Sequence, residues 1–114
     1  MDIKIPKNFR VGGQLINVDL VEDLEENLGT CCVSQCLIQI ANKYHGKPQA
    51  ESCRINTFVH EVVHSILDTM GRRDLSDDEV FVNCFASFVT EIFVSINEFY
   101  EQDLSDNGGD RSLR

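Results

Sequence analysis

Two different spacings of apolar residues divide this chain. From about Ala50 to Met70, apolar side chains fall at Ile55, Phe58, Val59, Val62, Val63, Ile66, Leu67 and Met70. Steps of three and four dominate, which predicts an amphipathic helix with a broad buried stripe. Gly71 follows as a C-terminal cap. Ser76 opens a second predicted helix, and Glu79 three residues later completes a capping-box pattern. Phe81, Val82, Phe85, Phe88, Val89, Ile92, Phe93, Ile96 and Phe99 carry that helix to about Tyr100.

The N-terminal third reads as β-structure. Phe9-Arg10-Val11, then Gly12-Gly13, then Gln14 to Asp19 predicts a hairpin, the paired glycines supplying the positive φ angles of a tight turn. Its register stays open, because Leu15, Val18 and Leu20 do not alternate cleanly with Ile16. Val21 to Leu28 fits a short helix or a ragged strand, ended by Gly29. Cys36 to Ala41 reads as a strand, with Cys36, Ile38 and Ile40 on one face at period two. Lys43 to Gln49, holding Gly46 and Pro48, reads as a loop. The expected fold is therefore α+β: one domain over residues 1–102, a short antiparallel or mixed sheet of about three strands packed on two long helices. A disordered, polar, glycine-bearing tail is expected over residues 103–114.

Composition narrows the partners. The 114 residues carry 19 acidic and 10 basic side chains, a formal net charge of −9. That argues against nucleic acid or an anionic membrane as the main partner, since both need a cationic face. No uninterrupted apolar run approaches the roughly 20 residues of a membrane span, and the N-terminus lacks the apolar core of a secretory signal. The five cysteines, at 31, 32, 36, 53 and 84, are odd in number and favour a reducing, cytoplasmic compartment over a disulfide framework. They form no Cys-x-x-Cys pair, so small apolar residues are their default role.

The chemistry concentrates in His60-Glu61-Val62-Val63-His64. Residues four apart on a helix project about 40° apart and ~6 Å along the axis, so two imidazoles can reach one tetrahedral metal ion. Glu61, offset by one residue, can flank the ion without binding it and act as general base on a water. A site of this kind needs a third protein ligand and an open fourth position.

Here the chain resembles the zincin metallopeptidases, in the branch whose third ligand is a glutamate on a following helix. It looks closest to small phage and prophage zinc peptidases and to relatives that cleave phage-type repressors. Their second helix often reads Glu-x-x-Ala-Asn-x-Phe-Ala; this chain reads Glu79-Val80-Phe81-Val82-Asn83-Cys84-Phe85-Ala86. The resemblance implies a zincin-like fold and Zn2+ held by His60, His64 and Glu79, with Asp78 as runner-up. It further implies Glu61 as catalytic base and a protein or peptide substrate, in a phage-infected or bacterial cytoplasm. It also implies a strand at the cleft edge just before the active-site helix, and Cys36 to Ala41 stands in that place. No third histidine follows His64, which argues against the three-histidine branch. Tyr44, His45 and Tyr100 are the candidates to stabilise an oxyanion, and Asp68 to orient a ligand imidazole. The alternative function is a zincin-fold binding or regulatory module without turnover.

Overall fold

The computed structural model describes residues 4–107, and side chains as far as residue 104. Strands β1 (Asn8–Val11) and β2 (Gln14–Asp23) form the expected hairpin, with Gly12 and Gly13 at φ 56° and 83° and Val11 opposite Gln14. β2 takes in only Val21 to Asp23 of the Val21 to Leu28 segment that fitted either helix or strand; the rest is a turn, with Glu25 at φ 59°. β3 (Gly29–Cys32) was not anticipated; a single turn of 3-10 helix, Val33–Gln35, links it to β4 (Leu37–Tyr44). β4 therefore extends into the expected loop. It folds back through His45 and Gly46, both at positive φ, onto the two-residue β5 (Lys47–Pro48).

The sheet has five strands, more than the three or so expected, in the order β1-β2-β4-β3 with β5 on β4. It is mixed: β2 and β4 run parallel, the other pairs antiparallel. Cys36 is not part of the strand; it sits at φ 52° just before β4. Ile38 and Ile40 do share one buried face, with Ile16 and Val18 of β2. One expectation about the cleft is corrected here. Of Cys36 to Ala41, Leu37 to Ile40 pair with strands on both sides inside the sheet, so the edge strand beside α1 is β3.

Helix α1 (Glu51–Thr69) lies against this sheet and against α3 (Glu79–Asn107). Ile55, Val59, Val63 and Leu67, at steps of four, bury one row of α1, and Val59, Val63 and Leu67 pack on Val82 and Ala86 of α3. Phe58 joins this inter-helix core to the sheet core and meets Phe9 edge-on at 5.8 Å. The reversal after α1 occurs at Gly71, as expected: its φ of 77° suits glycine, and the Arg72 N–H donates to the Leu67 carbonyl at 2.8 Å.

The capping box at Ser76 is not realised. Ser76 is the last residue of a short intervening helix, α2 (Arg73–Ser76), and is buried. The start of α3 is capped instead by Asp78, whose Oδ1 accepts the Phe81 N–H at 3.1 Å. α3 continues beyond Tyr100 to Asn107, into the span expected to be a disordered tail, and residues 108–114 of that span lie outside the described residues.

Candidate metal centre

At about 100° per residue, the positions of α1 sort into successive rows around its axis. His60 and His64 fall between the apolar row that packs on α3 and a buried polar row, Thr57, Glu61 and Ser65. The polar row passes β3 at Gly29. A Cβ there would meet Thr57 Cγ2 at 2.7 Å, the Gln39 carbonyl oxygen at 3.2 Å and Glu61 Cγ at 3.3 Å. Glycine at this position lets α1 approach the edge strand closely and seats Glu61 in the wedge between them.

The turn at Gly71 and the short α2 return the chain so that the first residue of α3 faces the two histidines. Nε2 of His60 and Nε2 of His64 are 3.2 Å apart. Glu79 Oε2 is 3.3 Å from His60 Nε2, and Glu79 Oε1 is 3.1 Å from His64 Nε2. His60, His64 and Glu79 thus form a possible metal-binding triad, the histidines paired as their spacing implied and Glu79 added as the resemblance implied. Three donors bound to one tetrahedral ion with bonds of ~2.0–2.1 Å stand about 3.3 Å apart. The His60–His64 separation and the two His–Glu79 separations, made by different oxygens of the one carboxylate, are each near that value.

Two further side chains stand beside the imidazoles. His64 Nδ1 and Ser76 Oγ share a hydrogen bond of 2.9 Å. The tautomer in which Nδ1–H donates to Oγ leaves Nε2 with its lone pair directed at the centre of the triangle. Asn83, one turn beyond Glu79, lines the same hollow as His60 and favours its protonated form. Burial, then repulsion from His64, lowers the His60 pKa, with Glu79 opposing. His60 is thereby kept in the neutral form that ligates a metal.

Glu61 has a different environment from Glu79. It is 7% exposed, and its pKa is raised to about 7, chiefly by burial and then by the negative charge of Glu79. It borders both hollows at the site, each of about 300 Å³. One hollow holds His64, Glu79, Asp68 and Cys31; the other holds His60, Asn83 and Tyr44. A titratable carboxyl with access to both sides of a possible metal site is well placed to exchange protons there.

The other expectations fare unevenly. Asp68 is not the partner of a ligand imidazole; its nearest cation is Arg73, with Nε 3.9 Å from Oδ1, and Ser76 occupies the imidazole's Nδ1 instead. Asp78 serves as the helix cap, not as a member of the triad. Of the three oxyanion candidates only Tyr44 borders the site. His45 lies on the exposed turn, 3.8 Å from Glu26, and Tyr100 stands on the outer part of α3 beside Phe99. Cys31 faces the site, yet burial and the nearby Glu61 and Asp68 push its thiol pKa up to about 12, unlike a metal-binding thiolate. Ser76 was expected only as a helix cap and Asn83 only as part of the second-helix motif; neither was assigned to the site. The Glu79-to-Asn83 spacing of four did signal a shared helix face; nothing local linked Ser76 to His64.

No protein-family model matches the chain, and no curated protein or solved structure is significantly similar to it.

Proposed function

We propose that this protein is a zinc-dependent hydrolase, and most directly a metallopeptidase. The observation that carries the reading is the triangle of His60, His64 and Glu79 with Glu61 beside it, buried and titrating near neutrality. Two imidazoles and one carboxylate whose ligand atoms lie within 4.8 Å of one another suit Zn2+, and leave a fourth position open to water or substrate. A zinc ion there would supply Lewis acidity and make water acidic enough to ionise near pH 7.

The chain's own residues account for the remaining steps. Ser76 orients the His64 imidazole. Glu61 accepts a proton from the attacking water and delivers it to the nitrogen of the departing amine. Tyr44 is the side chain on hand to donate to the carbonyl oxygen as it gains negative charge. The substrate is a peptide in extended form. β3 is the outer strand on the site side of the sheet, and a peptide added to its edge would run past Glu61.

Metal analysis and hydrolysis together test this reading. The purified chain should carry about one zinc, and His60→Ala should abolish binding. Glu79→Ala should weaken zinc binding far more than Asp78→Ala. Glu61→Gln should keep the metal and lose hydrolysis of a peptide library, by about 10²-fold or more. A native fold that binds no zinc would sink the proposal. Unchanged turnover in Glu61→Gln would remove the base, and zinc binding without any turnover would leave a metal-dependent binding module.

A further inference from the structure

The outer part of α3 carries a broad, largely exposed apolar surface. Phe85, Phe88, Ile92, Ile96 and Phe99 follow one another at steps of three and four, and are 48%, 66%, 59%, 48% and 52% exposed. Phe93, Tyr100 and Leu104, at 59%, 48% and 50%, prolong the row that Val82, Ala86 and Val89 place against α1. At roughly 200 Å² for a whole large residue, the open area of these side chains comes to roughly 800 Å². The largest apolar patch on a monomeric protein is about 300–600 Å². One side of a stable protein interface is about 800 Å². At the foot of this face Phe93 joins Ile5, Ile55, Phe58 and Val59 around an apolar hollow of about 200 Å³, room for one large side chain.

The surroundings of the face select its occupant. α3 contains no lysine or arginine from Glu79 to Asn107, so nothing on it attracts an anionic membrane. The stretch Glu79–Leu104 is long and apolar enough to cross a membrane by length and composition. Insertion of that stretch, however, would draw Glu79 and Asn83 away from His60 and His64, beside which they stand. Glu91, Glu98 and Glu101 project from the opposite arc of the helix, where a second α3 laid on the apolar rows leaves them in water, while Asp103, on the apolar side, is already buried within the chain at 5% exposure. We propose that this face is the interface of a homodimer, α3 of one copy packing on α3 of the other about a two-fold axis. The proposal is independent of the metal chemistry at the other end of the helix.

Sedimentation velocity on the full chain, from low to high micromolar concentration, tests it. The expected result is a dimer that tightens as sodium chloride is raised, because salt screens the repulsion between two chains of net charge −9. Phe88→Glu and Ile92→Glu should each raise the dimer Kd by about 100-fold or more. Both should leave the far-ultraviolet circular dichroism unchanged, since both side chains are more than half exposed in the single chain. A wild-type chain that stays monomeric at high micromolar concentration overturns the proposal, as does a dimer that survives both substitutions. Flotation of a monomer with neutral phosphatidylcholine vesicles would assign the face to lipid instead.

Discussion

The two ends of α3 are alike in sequence and opposite in surroundings. On the row that meets α1, Val82 and Ala86 in the first turns are 0% and 1% exposed, while Phe93, Tyr100 and Leu104 further along the same row are 59%, 48% and 50% exposed. Both ends follow the same three-and-four spacing, and α1 accounts for the difference. The two helices pack side by side over the first turns of α3, and by Phe93 the longer helix has reached Ile55, near the start of α1. Beyond that point the apolar side chains of α3 stay about half exposed or more. Periodicity thus reports that a face is made to be covered, and is silent on what covers it. The covered end, held by van der Waals contact along one row, is also the end that can present Glu79 to two histidines within about 0.2 Å of equal spacing.

The sharpest way to break this comparison is to place one charge in the covered row and another on the open face. Val82→Asp buries a carboxylate among Val59, Val63 and Leu67 with no partner, and should destabilise the fold by about 4 kcal/mol or more. Phe88→Asp puts the same group on an exposed position and should change the stability of the single chain by less than about 0.5 kcal/mol. Urea denaturation in dilute solution, where the dimer is dissociated, measures both. Equal losses would mean that the outer face is covered within one chain, and the contrast between the ends would fall.

How much of this arrangement could be read beforehand follows from the range of the forces involved. The His60–Glu61–His64 segment is legible because helical geometry alone fixes which side chains converge. The α1 period, the Gly12-Gly13 turn and the Gly71 reversal are legible for the same reason: each is decided within a few residues. β3 was missed because Gly29-Thr30-Cys31-Cys32 has no strand pattern of its own; pairing with β4 and packing under α1 make it a strand. The second hairpin was missed because His45, not the usual asparagine or glycine, takes the positive φ. Ser76 was assigned to the wrong helix because its partner, His64, is twelve residues away and only the fold brings them together.

A second, smaller effect separates the buried carboxyl of the site from its exposed neighbour Glu79, which is 59% open. Glu61 holds its proton up to about pH 7 in the folded metal-free chain, against 4.5 for the ordinary side chain. A raised pKa means that the folded state binds the proton more tightly than the unfolded state does. The stability this supplies is complete below pH 4.5 and is lost as pH rises to about 7. Glu61→Gln cannot ionise and should escape that loss. With chelator present, the stability of Glu61→Gln relative to the parent should rise by about 3 kcal/mol between pH 4.5 and 7.5. The lowered pKa of His60 acts in the opposite sense, but it is common to both proteins and drops out of the difference. A flat difference across that range would show that Glu61 is solvated, and would remove the contrast between the two glutamates.

The smallest effect concerns the short segment that delivers α3 to the site. Ser76 is 4% exposed and touches the triad only through the 2.9 Å bond to His64 Nδ1. Ser76→Ala leaves the three donors in place and releases one imidazole to turn, so zinc affinity should fall by about 10–100-fold. Asp68→Asn, at the acid the spacing had suggested for this task, should alter affinity much less, because Asp68 makes no bond to His64. Competition against a chromophoric zinc chelator measures both. If Asp68→Asn has the larger effect, the imidazole is oriented from within α1 itself. In that case α2 contributes only the turn, and the site end of α3 depends on helix packing alone.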